Sequence, residues 1–373
     1  MITVVLLALV AGSLVFTLLA MEAARRYMAH RRPGAGLRQP ISILKPLAGL
    51  DEGLEENLRS FFTQDYPDFE ILLAVSTEAD ASLPLARRMQ AEFPHIPCRI
   101  VITGEPPYPN RKVASIHAMA QQARHDLLLM SDSDIRVTSD MLSRIDAEFS
   151  SPTLMLTTCP YRAVPGNSPW SKLEAVMMNT EFLAGILTAR LLEGMRFAVG
   201  PTIACRKQAL QAIGGFETLR DFLAEDFVFG QRVAEAGLEV GLSAYVVEHR
   251  IGSASFRHNA DHRLRWVRST RRSRPAGYAG QLFTYPVPLA MLLTAWSLSW
   301  WPVLALAVAL RLTSAWQTAV LILKDPIIKR APLLVPLQDV LSFAFWLAGF
   351  LGNTIHWRGK TFYLERDGRF RQL

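Results

Sequence analysis

Ser131-Asp132-Ser133-Asp134 follows the apolar run Leu127–Met130. Two carboxylates two residues apart at the end of a strand can share a divalent ion and present it to a diphosphate, because hard oxygen ligands suit Mg2+ or Mn2+. The same residues also suit a solvated turn capping the next helix, since Ser and Asp are common turn and N-cap residues. Leu223-Ala224-Glu225-Asp226-Phe227 sets two acids in an otherwise apolar segment. A carboxylate in apolar surroundings gains a raised pKa, which suits a general base taking a proton from an alcohol. An acid at this place is equally explained as a helix N-terminal residue favoured by the macrodipole. The preceding Gly214-Gly215-Phe216 reads as a turn or as a close approach of backbone to ligand.

Three further sites carry polar chemistry. Asp80 lies in the loop after the strand ending at Val75, where an α/β domain contacts a base or ribose, although a lone loop Asp is usually only solvated. Asn110-Arg111-Lys112 opens a helix after a Pro-rich loop, so Lys112 is placed to neutralise phosphate charge or to be a plain surface lysine. His262-Arg263-Leu264-Arg265-Trp266 is followed by Arg268, Arg271, Arg272 and Arg274. An Arg beside a Trp can clamp a leaving diphosphate while the ring lines a sugar or acceptor pocket. The run also suits a basic juxtamembrane helix gripping headgroups, with Arg265 and Trp266 facing a site and the later arginines facing lipid.

The elements that must position these residues alternate. Short β-like runs at Ile41–Lys45, Glu70–Val75, Cys98–Ile102, Asp126–Ser131 and Thr153–Thr158 are separated by helical ones at Asp51–Gln64, Leu83–Phe93, Val113–Arg124 and Ser139–Phe149. The pattern predicts an α/β domain with a largely parallel sheet, whose ligands sit beyond the carboxyl ends of the strands.

The 373 residues are too many for one ordinary domain, half are apolar and 20% are charged, against roughly 25% in a typical soluble domain. Ile2 to Ala20 carries no charge, and the 41 residues from Phe283 to Leu323 carry one, Arg311. Both are long enough to enter a bilayer, the second as two helices of about 20 residues turning near Trp300-Trp301-Pro302. Leu333 to Leu351 is a third candidate. The net charge of +7 is concentrated beside these segments, at Arg25, Arg26, Arg31, Arg32 and Arg38 and along Arg257 to Arg274, which points to anionic headgroups and away from nucleic acid. Basic residues after the first segment, none before it, and no clear cleavage signal indicate an uncleaved anchor with the following chain in the cytoplasm. Cys98, Cys159 and Cys205 are odd in number without C-x-x-C spacing and read as small buried residues. Trp170 to Leu192 is amphipathic, with Leu183 and Ile186 on its apolar side, and suits either a helix along the membrane interface or a core helix. The expected organisation is an anchor at 1–24, a basic linker at 25–40, a catalytic domain at 41–282 ending in a basic interfacial segment, a transmembrane region of two to three helices at 283–352 and a basic tail at 353–373.

Taken in order, a loop Asp, a D-x-D, a Glu-Asp and an x-x-R-W followed by membrane segments, the chain resembles the ceramide glucosyltransferase family. These are membrane-bound inverting glycosyltransferases with a GT-A (Rossmann-like) cytoplasmic domain and N-terminal and C-terminal transmembrane helices. The fingerprint falls on Asp80, on Asp132 with Asp134, on Asp226 and on Arg265-Trp266. Ile43-Leu44-Lys45-Pro46-Leu47, Asn57-Leu58, Phe61-Phe62, Gln64-Asp65-Tyr66-Pro67, Asp132 to Val137, Ala224-Glu225-Asp226 and Thr354 to Arg358 extend the likeness over nearly the whole chain. One departure is His262, where the family usually has Gln or Arg; a neutral His still donates one hydrogen bond.

The resemblance implies transfer of glucose from UDP-glucose to the primary hydroxyl of ceramide with inversion, by an integral membrane protein whose catalytic domain faces the cytoplasm. In a bacterium the membrane would be the inner one. It implies Asp226 as general base, Asp132 and Asp134 as ligands of Mg2+ or Mn2+, and Asp80, Lys112, Asp132, Glu225, Arg265 and Trp266 as substrate contacts. Within the family, the rival is transfer of N-acetylglucosamine from its UDP donor to a hopanoid lipid. A transporter or scaffold would not need all of these acids, and a polysaccharide synthase would need a larger membrane portion.

Overall fold

The computed structural model describes residues 1–29, 36–357 and 359–373. Part of the linker read at 25–40, with Arg31 and Arg32, lies outside the described residues, as does Arg358. The chain folds as two compact units, one of Arg32–Tyr161 with Met195–Gly252, the other of Met1–Arg31, Arg162–Gly194 and Ser253–Leu373.

The second unit begins with helix α1 (Ile2–Ala29), whose 28 residues extend ~42 Å, more than the ~30 Å hydrocarbon core of a bilayer.

The sheet unit runs through β1 (Ile41–Pro46), α2 (Leu54–Phe62), β2 (Phe69–Val75), α3 (Leu83–Glu92), β3 (Cys98–Ile102), α4 (Arg111–Gln122), β4 (Leu127–Ser131), β5 (Ile135–Arg136), α5 (Met141–Glu148) and β6 (Leu154–Thr158). The chain then passes through β7 (Tyr161–Pro165) into the other unit and returns for β8 (Thr202–Arg206), α8 (Lys207–Ala212), α9 (Glu225–Glu235), β9 (Glu239–Leu242) and β10 (Val247–Gly252). Seven strands pair in the order β3-β2-β1-β4-β8-β6-β9. β2 is apolar at all but one position and buried throughout, as a central strand covered on both faces should be. Leu44, Leu72, Leu128, Met130, Ile203 and Val228 join one buried cluster between sheet and helices.

The five strands read from the sequence are present, Cys98–Ile102 unchanged and the others with one end moved by a residue. The largely parallel sheet holds for β3, β2, β1 and β4, but β8 is antiparallel to both β4 and β6. Its register, Ser131 opposite Thr202, lays the start of β8 beside the end of β4. The parallel strands send their carboxyl ends the same way, so the loops after β1, β2 and β4 collect at one edge. The three cysteines are free; Cys159 and Cys205 are buried, and burial raises both thiols.

Among the described residues, the other unit has three helical stretches long and apolar enough to cross a membrane, namely α1, Pro169–Glu193 and Leu298–Ile322. Pro169–Glu193 is α6 (Pro169–Met177) and α7 (Leu183–Glu193) joined by a π-helical segment, Met178–Phe182. Leu183 and Ile186 are buried, at 2% and 6% exposure, so the interfacial reading of this stretch gives way to a packed helix. After it come α10 (Phe256–Ser273), α11 (Pro275–Gly280), α12 (Pro286–Trp296), α13 (Trp301–Ala315), a second π segment at Trp316–Ile322, α14 (Pro326–Arg330) and α15 (Leu334–Gly349). Phe283 to Leu323 does not divide into two equal spans. Ser297 is extended and ends α12 after 11 residues, ~16 Å and short of a bilayer crossing, while Pro302 starts the longer helix.

α1 packs on α7, α12 and α13; Val10 with Leu6, Leu7 and Leu14 joins a cluster with Leu289, Leu293 and Ala307, while small residues such as Ser13, Ala20, Ala23 and Ala24 are also buried, which permits close helix approach. The tail is ordered as an antiparallel sheet of β11 (Thr354–Trp357), β12 (Lys360–Leu364) and β13 (Phe370–Gln372).

Gly230 in α9 is where the sheet unit is tightest: a Cβ there would lie 2.1 Å from the Ala198 backbone nitrogen and 2.4 Å from the Phe197 carbonyl carbon. Gly230→Ala is expected to push α9 away from the 197–198 backbone and cost about 1–3 kcal/mol, read as a lower thermal midpoint of the detergent-solubilised protein.

Candidate active site

The site grows from a charge problem at the end of β4. Asp132 Oδ1 lies 2.7 Å from Lys112 Nζ, which is also 3.1 Å from Glu225 Oε1. Lys112 comes from the first turn of α4 and Glu225 from the first turn of α9, so one ammonium joins two helix starts and a strand end. Burial works against the lysine's charge, but Asp132 and then Glu225 outweigh it and raise its pKa. Asn110 caps α4 by accepting from the Val113 N–H at 3.1 Å, and its Nδ2 donates to the Phe222 carbonyl at 2.8 Å and to Glu225 Oε2 at 3.3 Å. The start of α4 thus holds the loop that leads into α9.

Beneath the D-x-D loop lies Lys45, the one charged residue of β1, with no exposed surface. Its Nζ donates to the Asp132 carbonyl at 2.7 Å and sits 3.6 Å from the centre of the Phe61 ring. Burial pushes its pKa down to about 7, against the pull of Asp132 and Asp134. Asp134 accepts from or shares a proton with His249 Nε2 at 3.0 Å. Burial would raise the Asp134 pKa, yet His249, with Lys45 and Lys112 behind it, outweighs this and holds it lowered. Asp132 is raised, by burial first, with Lys112 opposing.

Asp226 adjoins Glu225 in the first turn of α9. It shares a cavity of about 20 Å³ with Lys112, Asp132, Gly200 and Glu225, walled by Met130, Ile203, Phe216 and Phe229. Burial against those apolar walls, then the adjacent Glu225, raises its pKa to about 6, with Lys112 opposing. Gly200 is part of the reason it fits, because a Cβ there would stand 3.2 Å from Asp226 Oδ2. The antiparallel register of β8 brings the same stretch to Asp132, whose N–H donates to the Pro201 carbonyl at 2.9 Å.

Asp80 plays a different part. Its Oδ1 accepts from the Gly49 N–H at 3.0 Å, the Ser82 N–H at 2.9 Å and the Ser82 hydroxyl at 2.7 Å, knitting the loop after β1 to the loop after β2. Gly49 takes a φ of 74°, a left-handed conformation natural to glycine.

Arg265 and Trp266 belong to the other unit, on α10. The Trp266 ring lies 5.4 Å from Phe182 and 5.2 Å from His262, and the Arg265 guanidinium 5.6 Å from the Trp357 ring. Two motifs separated by some ninety residues in sequence, Arg265-Trp266 and Thr354 to Trp357, therefore meet. His262 is hydrogen-bonded to the buried Glu174, which also accepts from Asn259 Nδ2 at 2.6 Å. Arg268 and Arg271 do not simply face lipid. They donate to the carbonyls of Leu351, Thr354, Phe350 and Gly352, satisfying backbone left open where α15 ends.

Lys45, Asn110, Gly200 and His249 have site roles that sequence reasoning did not assign. Lys45 had a readable signal, a lone charge inside an apolar strand. His249 had none, since only the pairing of β10 with β5 puts it opposite Ile135. Among the described residues, no group of three or more His, Cys, Asp or Glu is arranged to hold a metal ion, so the metal reading concerns two carboxylates.

Lys45→Met is expected to change stability by only about 1 kcal/mol, because removing a desolvated ammonium offsets the lost hydrogen bond. The loop it held should loosen, and faster hydrogen exchange at the amides of 133–135, with the rest of the sheet unchanged, would show it.

The fold and chain can now be compared with known proteins. Mannosyltransferase PcManGT from Pyrobaculum calidifontis, solved with GDP-Man and Mn2+, superposes with a TM-score of 0.60 at 16% identity, covering 94% of this chain and 99% of that one. The architecture is thus that of a GT-A glycosyltransferase. Ceramide glucosyltransferase 1 of Caenorhabditis elegans is 28% identical over 230 residues, 61% of this chain and 49% of that protein. Ceramide glucosyltransferase 3 of the same organism is 25% identical over 245 residues, 65% and 53% of the two chains. The chain spans about half the length of these curated relatives. The profile of glycosyl transferase family 21 matches residues 3–370, and with the motifs and fold in agreement the chain belongs to that family.

Proposed function

We propose that this protein transfers glucose from UDP-glucose to the primary hydroxyl of ceramide, giving the β-linked product by inversion. The observation that carries this reading is Asp226, a half-buried carboxylate beside the Lys112, Asp132 and Glu225 cluster, with a pKa of about 6. Such a group is ionised at neutral pH and basic enough to take the proton of an alcohol as its oxygen attacks the anomeric carbon and UDP departs. The activities named for the nematode relatives support the donor sugar and the acceptor.

Asp132 and Asp134 fit a divalent cation. Asp134 Oδ1 is buried with no hydrogen-bond partner, and a hard anionic oxygen left so is suited to Mg2+ or Mn2+. When bound, the ion supplies positive charge to the diphosphate. Lys112 adds the chain's own charge there, Glu225 orients the lysine, and Asp80 organises the loops that would receive the nucleoside. Arg265 and Trp266 are assigned to substrate on the family motif. The Mn2+ bound by the mannosyltransferase of the same fold is in keeping with this.

The long apolar helices suit a two-chain lipid acceptor, whose tails would otherwise be exposed to water. By the positive-inside rule, Arg25 and Arg26 at the end of α1 support a cytoplasmic side for that end, in keeping with a cytoplasmic catalytic domain.

With purified protein in nanodiscs, mass spectrometry should detect hexosyl-ceramide formed from UDP-glucose. An N-acetylhexosaminyl hopanoid from the corresponding UDP donor would instead establish the rival substrates. Because Asp226 must be deprotonated to act, kcat should rise with pH through about 6 and then level. Asp226→Asn should remove that limb and lower kcat by about 100- to 10,000-fold with little change in UDP-sugar affinity. Asp134→Ala should weaken UDP binding in the presence of Mn2+ and leave metal-free binding almost unchanged, as titration calorimetry can show.

A further inference from the structure

The polar groups of the helical unit are, with few exceptions, satisfied by one another. Arg311 pairs with Asp339 at 2.9 Å and donates to Thr180 Oγ1 at 3.0 Å. Asn179 donates to the Ala163 carbonyl and to Asp325, and Arg263 donates to Ser342 Oγ while stacking on Phe345. Glu181 departs from this pattern. One carboxylate oxygen accepts from the Tyr285 hydroxyl at 3.1 Å, while Oε2 is buried with no hydrogen-bond partner. No ion pair involving it forms among the described residues.

Two features locate the anomaly. Glu181 sits in the π segment Met178–Phe182, and that segment packs on the second π segment, Trp316–Ile322. The second segment also holds a buried acceptor without a partner, Gln317 Oε1. π turns interrupt the backbone ladder and occur often at functional sites, and buried acceptors without donors are rare enough that each calls for an explanation. Both segments lie in stretches long and apolar enough to cross a membrane, where water is scarce and an unmet acceptor is disfavoured. The residue after Glu181, Phe182, packs its ring at a tilt against Trp266 of the x-x-R-W motif.

We propose that the paired π segments, through Glu181 and Gln317, form a subsite that accepts hydrogen bonds from the hydroxyl or amide N–H donors on the polar head of the lipid acceptor. This rests on the lipid-acceptor reading above and assigns residues that the family fingerprint does not contain. A carboxylate and an amide oxygen ask for a ligand rich in donors and poor in negative charge, which a polyhydroxylated lipid meets and a phospholipid phosphate does not.

The test is a cycle of protein and ligand changes. Wild type, Glu181→Leu and Glu181→Gln in nanodiscs are titrated with a short-chain fluorescent ceramide, with a fluorescent hopanoid polyol, and with the fully O- and N-methylated counterpart of each. Thermal melting and UDP binding serve as fold controls. Glu181→Leu should weaken binding of one donor-bearing lipid by about tenfold or more and leave binding of its methylated form unchanged. Glu181→Gln, which keeps an acceptor oxygen, should recover most of that loss. Equal loss for donor-bearing and methylated lipids, or no loss, would overturn the subsite and leave Glu181 a structural group. Failure of wild type to bind any of the lipids would overturn it as well. Sugar transfer is assayed in parallel. Transfer without the donor-specific loss rejects this inference alone, and the donor-specific loss without transfer rejects the catalytic reading alone.

Discussion

One ammonium group organises the candidate site. Lys112 lies between Asp132 and Glu225, and without a cation there three acids of this cluster, Asp226 included, would face one another in a half-apolar cavity. Bringing carboxylates out of water and next to each other is unfavourable unless a countercharge joins them. The lysine meets that need from the start of α4, and Asn110 in the preceding position ties the same turn to Glu225 and to the Phe222 carbonyl. Positive charge arriving with a diphosphate-bound metal or leaving with a product would have to be balanced against this lysine. The same network separates the acids in character. Asp134 is kept anionic by His249, whereas Asp226, with burial and Glu225 against its charge, becomes the more basic group.

Close backbone approach is the second constraint, and it follows from the sheet. Because β8 runs antiparallel to β4, the residues leading into it return to the edge where the parallel strands end. Gly200 borders Asp226 there, and Gly230 lets α9 lie directly on the 197–198 backbone. A side chain at Gly200 would press on the Asp226 carboxylate, and one at Gly230 would push α9 off that backbone. The acids are placed as much by missing side chains as by hydrogen bonds.

The helical unit solves a different problem, how to keep polar groups inside apolar surroundings. Its answer is mutual pairing: Arg311 with Asp339 and Thr180, Glu174 with His262 and Asn259, Arg268 and Arg271 with the open carbonyls beyond α15. Tyr278 and Trp346 exchange hydrogen bonds with each other's carbonyls at 2.6 and 2.9 Å, fastening α11 to α15 with no charge at all. Beside such pairing, the unmet oxygens on the two π segments, like the buried Nε atoms of Arg271 and Arg272, acquire meaning that they would lack on a solvated surface.

The sequence by itself determined the family, the alternation of strand and helix, the D-x-D at the end of β4 and the apolar segments, because these depend on local composition, period and spacing along the chain. It also showed which acids were out of place in apolar runs. The tertiary structure alone decided that β8 enters the sheet antiparallel, that Lys45 lies under Asp132, that His249 meets Asp134, and that Asp80 spends its carboxylate on loop N–H groups. It alone turned Trp170 to Leu192 into part of a long packed helix and ended α12 after 11 residues. The physical reason is common to these cases. A period records which face of an element avoids water, but pairing, pKa and helix length in a packed unit depend on which distant segment supplies the countercharge, the missing hydrogen bond or the space.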